Sequence, residues 1–241
     1  MCHSWLAAGV AVFLGVLIVR EIVPVVRSGE DGAPLEHGLL GQGLRRWFRA
    51  RIEPLVDLLL NAGVRADAVS AIQLAMSALC GLTYARGWLF TAGWLLLSAG
   101  TLDVLDGSMA RKRDAAGPRG AFLDSVVDRY GEAAVFLGLA ARLRGGWPLW
   151  AVLGAAFGAF MVSYTRARAE GVGVECSEGM MQRPERYVLI GGASMFGALG
   201  AHLACAPGAA PGLLVAALVA VAVLANVTAL QRALTVVRRL G

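Results

Sequence analysis

Beyond residue 60 the chain repeats one pattern: a run of about twenty mainly apolar residues, a short polar break, then another run. Six runs can be drawn, at roughly 66–85, 88–110, 120–141, 147–168, 187–206 and 211–231. About twenty apolar residues is what a helix needs to cross the hydrocarbon core of a bilayer, so the pattern predicts six spanning helices. A seventh apolar stretch, Trp5 to about Val26, carries Arg20 and Glu21 towards its end. No basic segment precedes it and no small-residue cleavage signal follows, so it reads as an uncleaved anchor. Residues 27–38 (RSGEDGAPLEHG) read as a polar linker.

Between the linker and the first of the six runs, Leu39, Leu40, Leu44, Trp47, Phe48, Ile52, Leu55 and Leu58 alternate with Arg45, Arg46, Arg49 and Arg51. This suits a helix lying in the membrane interface, apolar face down and arginines among anionic headgroups. A solvated juxtamembrane helix is the plainer alternative. The expected fold is all-α: a six-helix transmembrane bundle preceded by an interfacial amphipathic helix and an extra N-terminal hydrophobic helix. It divides into an anchor and linker at 1–38 and a principal domain at 39–241.

Composition strengthens the membrane reading. With 57% hydrophobic and 16% charged residues and a mean hydropathy of +0.64, the chain is too apolar for an ordinary soluble domain of this length. Arginine supplies nearly all of the net +5, Lys112 being the only lysine. That charge is clustered between the apolar runs, which marks topology and not nucleic-acid binding. Cys2, Cys80, Cys176 and Cys205 show no C-x-x-C spacing, and His3, His37 and His202 are scattered. Neither a disulfide framework nor a zinc site is expected.

The loop charges orient the bundle. Arg45, Arg46, Arg49, Arg51 and Arg65 precede the first run, and Arg111, Lys112, Arg113 and Arg119 follow the second. Arg166, Arg168, Arg183 and Arg186 follow the fourth, and Arg238 and Arg239 the sixth. The intervening connections carry only Arg86, then Arg142 with Arg144, then the uncharged ACAPGAAPG. All the rich segments fall on one side, which the positive-inside rule makes cytoplasmic. The expected location is a cell (inner or plasma) membrane. Trp88, Trp147 and Trp150 lie near run ends, as an aromatic belt requires.

Four carboxylates interrupt this apolar background in the pattern D-x2-D-G-x2-A-R-x8-G-x3-D-x3-D: Asp103, Asp106, Gly107, Ala110, Arg111, Gly120, Asp124 and Asp128. An Asp near the bilayer centre costs about 2.5 to 3.5 kcal/mol on insertion scales, so four need cations, buried partners or water. At 100° per residue, positions 103, 106, 107, 110 and 111 share one face of a helix, and 120, 124 and 128 share one face of the next. A short turn can aim both stripes into one cavity. Converging carboxylates repel unless cations fill the space, and hard oxygen ligands select Mg²⁺ or Mn²⁺. Gly107, Ala110 and Gly120 leave room for a ligand near backbone, and Arg111 offers a planar fork for phosphate oxygens. The plain alternative, small residues that let helices pack closely, leaves the four aspartates unexplained.

Over these eight positions the chain resembles the CDP-alcohol phosphotransferases, membrane enzymes of phospholipid synthesis. The resemblance implies a six-helix bundle with an interfacial helix, usually dimeric, over about residues 39–241. It implies that Asp103, Asp106 and Asp124 hold divalent metal, with two Mg²⁺ or Mn²⁺ ions expected, together with the diphosphate of a CDP-linked lipid. Asp128 is implied as general base on the acceptor hydroxyl, with contact to a second metal. Gly107, Ala110, Arg111 and Gly120 are implied to line the CDP pocket with Asp103, Asp106 and Asp124. CMP leaves, and the lipid phosphate passes to an alcohol.

The stretch VSYTRARAEGVGVECSEGMMQRPER, Val162 to Arg186, is similar to elements of prokaryotic phosphatidylinositol-phosphate synthases and their archaeal relatives. This implies CDP-diacylglycerol as donor and inositol 1-phosphate as acceptor, with Arg186 and Arg232 holding the acceptor's phosphate. Glycerol 3-phosphate or another polar alcohol is the nearest variant. Thr165 stands where the bacterial enzymes commonly carry a phosphate-binding lysine, and Arg166, the adjacent candidate, points about 100° away on a helix. Positive-inside bias alone accounts equally for Arg166 and Arg183. Glu132 continues the Gly120, Asp124, Asp128 stripe and either braces the site or pairs with Arg129 or another buried arginine. A cation transporter is the alternative class, but no internal repeat is evident and the acids lie near run ends beside arginines.

Overall fold

The computed structural model describes residues 40–112, 117–176, 179–206, 208 and 210–240. The expected anchor and linker at 1–38 lie outside the described residues. Among these the chain is all helical, with seven helices: α1 Gly41–Asn61, α2 Ala66–Ala85, α3 Leu89–Lys112, α4 Pro118–Arg142, α5 Pro148–Glu170, α6 Arg183–Leu203 and α7 Ala210–Leu240. Four of them are long and apolar enough to cross a membrane, namely α2, α3, α5 and, from Pro211, α7. The other two long helices after α1 carry much of the chain's internal charge: Asp124, Asp128, Arg129 and Glu132 on α4, and Arg183, Glu185 and Arg186 on α6.

Local sequence explains where these helices begin. Pro118, Pro148 and Pro184 each sit in the first turn of a helix, where the missing N–H costs nothing and the fixed φ favours helix. The sixth run, expected to begin near 187, therefore starts at Arg183, because Pro184 opens the helix ahead of its apolar part. The last helix was expected to end near 231 but continues to Leu240. Arg232 does not stop it, since its side chain is buried and its Nη1 donates to the Val162 carbonyl of α5 at 2.8 Å. Between α2 and α3 the chain reverses at Gly87, whose φ of 79° is open to glycine.

Packing runs in a closed cycle of neighbours: α2 against α3 and α4, α3 against α6, α6 against α7, α7 against α5, and α5 back to α4. Small residues set the closest crossings. A Cβ on Gly138 of α4 would collide with the backbone carbonyl of Gly81 on α2, and one on Gly93 of α3 would lie 2.6 Å from the Gly191 carbonyl of α6. In lipid, association rests on such close backbone approach because apolar side chains gain little by leaving the tails. Cys80, Tyr84, Leu96, Leu139, Val152, Leu214 and Leu218 fill the centre. Tyr84 and Ser194 share a 2.7 Å hydrogen bond across it.

α1 lies against α3, burying Ile52 and Val56 with Leu105 and Met109. Its polar face is pinned at two places, by Lys112 to Glu53 and Asp57 at 3.0 and 2.7 Å and by Arg45 to Glu185 at 2.5 Å. Because the helices alternate in direction, the start of α2, the end of α3, the start of α4, the end of α5, the start of α6 and the end of α7 meet at one end of the bundle. Trp88, Trp147 and Trp150 sit exposed at the start of α3 and around that of α5, at the other end.

Candidate active site

Six helix ends build the site. Ser70 is on the second turn of α2 and Gln73 just beyond it. Asp103 to Arg111 occupy the last turns of α3, Gly120 to Asp128 the first turns of α4, and Arg183 and Arg186 the first turn of α6. At 1.5 Å per residue, Asp128 is about 15 Å into α4, roughly half the thickness of a hydrocarbon core. All eight residues of the aspartate pattern line one or both of two adjoining cavities.

The first cavity, about 480 Å³, is bounded by Ser70, Asp106, Gly107, Ala110, Arg111, Arg119, Gly120 and Asp124. A second of about 510 Å³ is bounded by Asp103, Asp124, Asp128 and seven arginines: Arg49, Arg111, Arg129, Arg166, Arg183, Arg186 and Arg232. Gly107, Arg111, Ala121 and Asp124 belong to both, so the aspartate cluster forms the partition between them. One side combines small residues, Gly107, Ala110, Gly117 and Gly120 among them, with Arg65, Arg111 and Arg119. Its neighbour is walled by guanidinium groups, the donors best shaped for phosphate oxygens.

Within the partition, Asp103, Asp106 and Asp124 each offer one oxygen, all within 4.8 Å of one another. Ser70 donates to Asp106 Oδ2 at 2.8 Å, while Asp106 Oδ1 is buried and accepts no hydrogen bond from the described residues. A buried carboxylate oxygen without a donor is costly unless something cationic completes it. Three hard oxygen donors at this spacing fit a divalent cation. Asp128 stands beside that group and shares partners with Asp103: Gln73 Nε2 donates to its Oδ1 at 3.1 Å, and Arg183 Nη1 closes on its Oδ2. Arg183 Nη1 also reaches Asp103 Oδ1 at 3.2 Å.

The expected acceptor-side residues separate into three groups. Arg166 lines the second cavity and pairs with Glu170 at 2.9 Å. Thr165 does not line it; its hydroxyl donates back to the carbonyls of Met161 and Val162. Arg186 lines the cavity but is 1% exposed, with Nε and Nη2 on Glu132 Oε1 at 2.9 and 2.6 Å and Nη1 on the Met181 carbonyl. Arg232 is likewise buried at the cavity wall. Glu132 thus has Arg186 as its principal partner, with Arg129 at 4.0 Å.

The comparison with known proteins now bears on this geometry. Residues 64–237 match the family model for CDP-alcohol phosphatidyltransferase, a span holding both cavities' helices apart from α1. The chain belongs to this family. It is 34% identical over 207 residues to an archaetidylinositol phosphate synthase of Methanothermobacter thermautotrophicus, covering 86% of this chain and 98% of that one. A phosphatidylinositol phosphate synthase of Cutibacterium acnes is 35% identical over 161 residues, covering 64% and 74%. The crystal structure of the Mycobacterium tuberculosis phosphatidylinositol phosphate synthase with CDP-DAG bound is similar at a TM-score of 0.64 and 30% identity, over 76% of this chain and 92% of that one. The same enzyme in complex with manganese and citrate matches at a TM-score of 0.64 and 30% identity, over 76% and 87%.

This CDP-alcohol phosphatidyltransferase is therefore a membrane enzyme of phospholipid synthesis, and its aspartate cluster suits divalent metal. Three contributors lie outside what the sequence singled out. Gln73 and Ser70 come from α2, whose apolar run hides them as incidental polar residues. Arg183 read as topological charge, yet it is the cation nearest to Asp103 and Asp128. Only the i, i+3 spacing of Ser70 and Gln73 on one face of α2 offered a signal.

Proposed function

We propose that this protein transfers the phosphatidyl group from CDP-diacylglycerol, or a similar CDP-lipid, to inositol 1-phosphate with release of CMP. The observation that carries the reading is the aspartate partition between a small-residue cavity and an arginine-walled one. The first has room beside Arg111 and Arg119 for a nucleotide diphosphate, and the second has guanidinium groups for an acceptor phosphate, on either side of one reacting centre.

Asp103, Asp106 and Asp124 would hold divalent cation, two Mg²⁺ or Mn²⁺ ions in all, with Asp128 at the edge of the second. When bound, such a pair stabilises attacking and leaving oxygens of an in-line displacement. Gly107, Ala110 and Gly120 admit the nucleotide close to backbone, where a larger side chain would fill the space, and Arg111 meets its phosphates. On the other side Arg166, Arg183, Arg186 and Arg232 orient the acceptor's phosphate, with Arg186 held rigid by Glu132. Thr165 contributes through its helix and not through its hydroxyl. Asp128 takes the proton from the acceptor hydroxyl as its oxygen bonds to the lipid phosphorus and CMP departs.

The same reading makes α2 to α7 a six-span transmembrane bundle and 39–241 the catalytic domain, with α1 at the interface and 1–38 an added anchor and linker. Its site opens to the cytoplasm of a cell membrane, and the functional unit is a homodimer. The test is CMP release from CDP-diacylglycerol by purified protein with Mg²⁺ or Mn²⁺ against a panel of acceptors. Inositol 1-phosphate should be used, and Asp106→Asn or Asp124→Asn should cost more than the roughly 10- to 100-fold typical of losing a residue that only supports a metal ligand. Use of glycerol 3-phosphate in its place would overturn the acceptor while leaving the family chemistry intact. No CMP with any alcohol would overturn the reaction.

A further inference from the structure

Asp128 is held from outside the aspartate pattern, by a side chain of the mainly apolar helix α2. Gln73 of α2 is 2% exposed, and burying a primary amide is costly unless it is hydrogen-bonded. Its Nε2 donates to Asp128 Oδ1 at 3.1 Å and to Asp103 Oδ1 at 3.4 Å. Both acceptors are carboxylates, so the amide must present its nitrogen; turned over, its oxygen would face two anions. Oε1 is then left buried without a hydrogen-bond partner among the described residues. The arrangement gives up one acceptor to hold two acids.

We infer that Gln73 is a positioning residue for the transfer step: its hold on Oδ1 sets the rotation of the Asp128 carboxylate, so that Oδ2 faces the arginine-walled cavity and takes the acceptor's proton. This rests on the assignment of Asp128 as base made above. Oδ2 is the oxygen that meets Arg183 on the arginine-walled side. A carboxylate oxygen has two lone pairs, so Oδ2 accepts from Arg183 and from a hydroxyl together. In the step, the hydroxyl proton passes to Oδ2 and the freed oxygen forms a bond to the lipid phosphorus. The bond from that phosphorus to CMP breaks, and CMP leaves with the electron pair. Gln73 suits this place because it is neutral. A lysine would compete with metal for the acids, and a glutamate would add a fifth carboxylate to four.

The experiment uses the full chain in lipid nanodiscs and measures CMP release with CDP-diacylglycerol, Mg²⁺ and the accepted alcohol. Gln73→Met keeps the length and removes the donor. Its kcat should fall about 10- to 100-fold, the loss expected for a hydrogen bond to a charged group, with KM for either substrate changed less than about twofold. Gln73→Glu keeps the shape and should fall at least as far. In an Asp128→Asn background the further effect of Gln73→Met should shrink to less than about twofold, as for residues acting through one another. A kcat within about twofold of wild type in Gln73→Met, a loss carried by KM alone, or a full second loss on top of Asp128→Asn overturns the inference. A wild-type protein that releases no CMP, or an Asp128→Asn variant with full activity, overturns the reading beneath it.

Discussion

Glu132 and Arg186 show how a charge in this bundle is tied to its partner. Both are almost wholly buried, and two nitrogens of Arg186 fall on one oxygen of Glu132. Removing one member of a buried pair strands the other, at a typical cost of about 3 to 5 kcal/mol. Glu132→Ala should therefore lower the thermal unfolding temperature sharply in detergent. Glu132→Leu combined with Arg186→Met should recover much of that loss, because neither charge is then left alone. Recovery of stability without recovery of CMP release would separate the pair's structural contribution from the part Arg186 plays at the cavity. At this scale the sequence exposed the acids well and their partners poorly. An Asp in an apolar run is conspicuous, whereas Arg183 sits in a segment where positive charge is already expected for topology, and Gln73 carries no charge at all.

At the level of elements, the tightest constraint is the crossing of α2 and α4. Gly81 and Gly138 meet backbone to backbone, so any side chain at 138 must push the helices apart. Gly138→Leu should reduce the yield of folded protein and lower its unfolding temperature, with overpacking typically costing about 1 to 3 kcal/mol or more. Gly192→Leu on α6, where a Cβ meets nothing within 4 Å, should be tolerated and serves as the control. The same crossing carries Gln73 of α2 towards Asp128 of α4, so activity in Gly138→Leu should fall further than stability alone would account for. Helix positions were legible because apolar run length follows bilayer thickness. Ends were less so: Arg183 opens α6 through Pro184, and α7 passes Arg232 because a neighbouring carbonyl takes that charge.

For the molecule as a whole, the alternating helices gather charge and chemistry at one end and aromatic rings at the other. Cys205 follows α6, whose 21 residues carry the chain about 30 Å from the site end. It is exposed, while Cys80 and Cys176 are buried. In a Cys2→Ser background, a membrane-impermeant maleimide added to intact cells should label Cys205 without permeabilisation. Labelling only after lysis would reverse the orientation drawn from the arginine-rich connections.

Sequence by itself determined the helical, membrane-bound character, the positions of α2 to α7 to within a few residues apart from the end of α7, and the aspartate pattern with its family. These follow from local rules: apolar run length, 3.6-residue periodicity and the cost of acids in lipid all act along the chain. Tertiary structure decided which groups meet. Gln73 reaches Asp128 across 55 positions, Arg183 reaches Asp103 across 80, and Thr165 turns away where Arg166 turns in. Such pairings depend on how helices cross and rotate about their axes, and that is settled by where glycines let backbones touch.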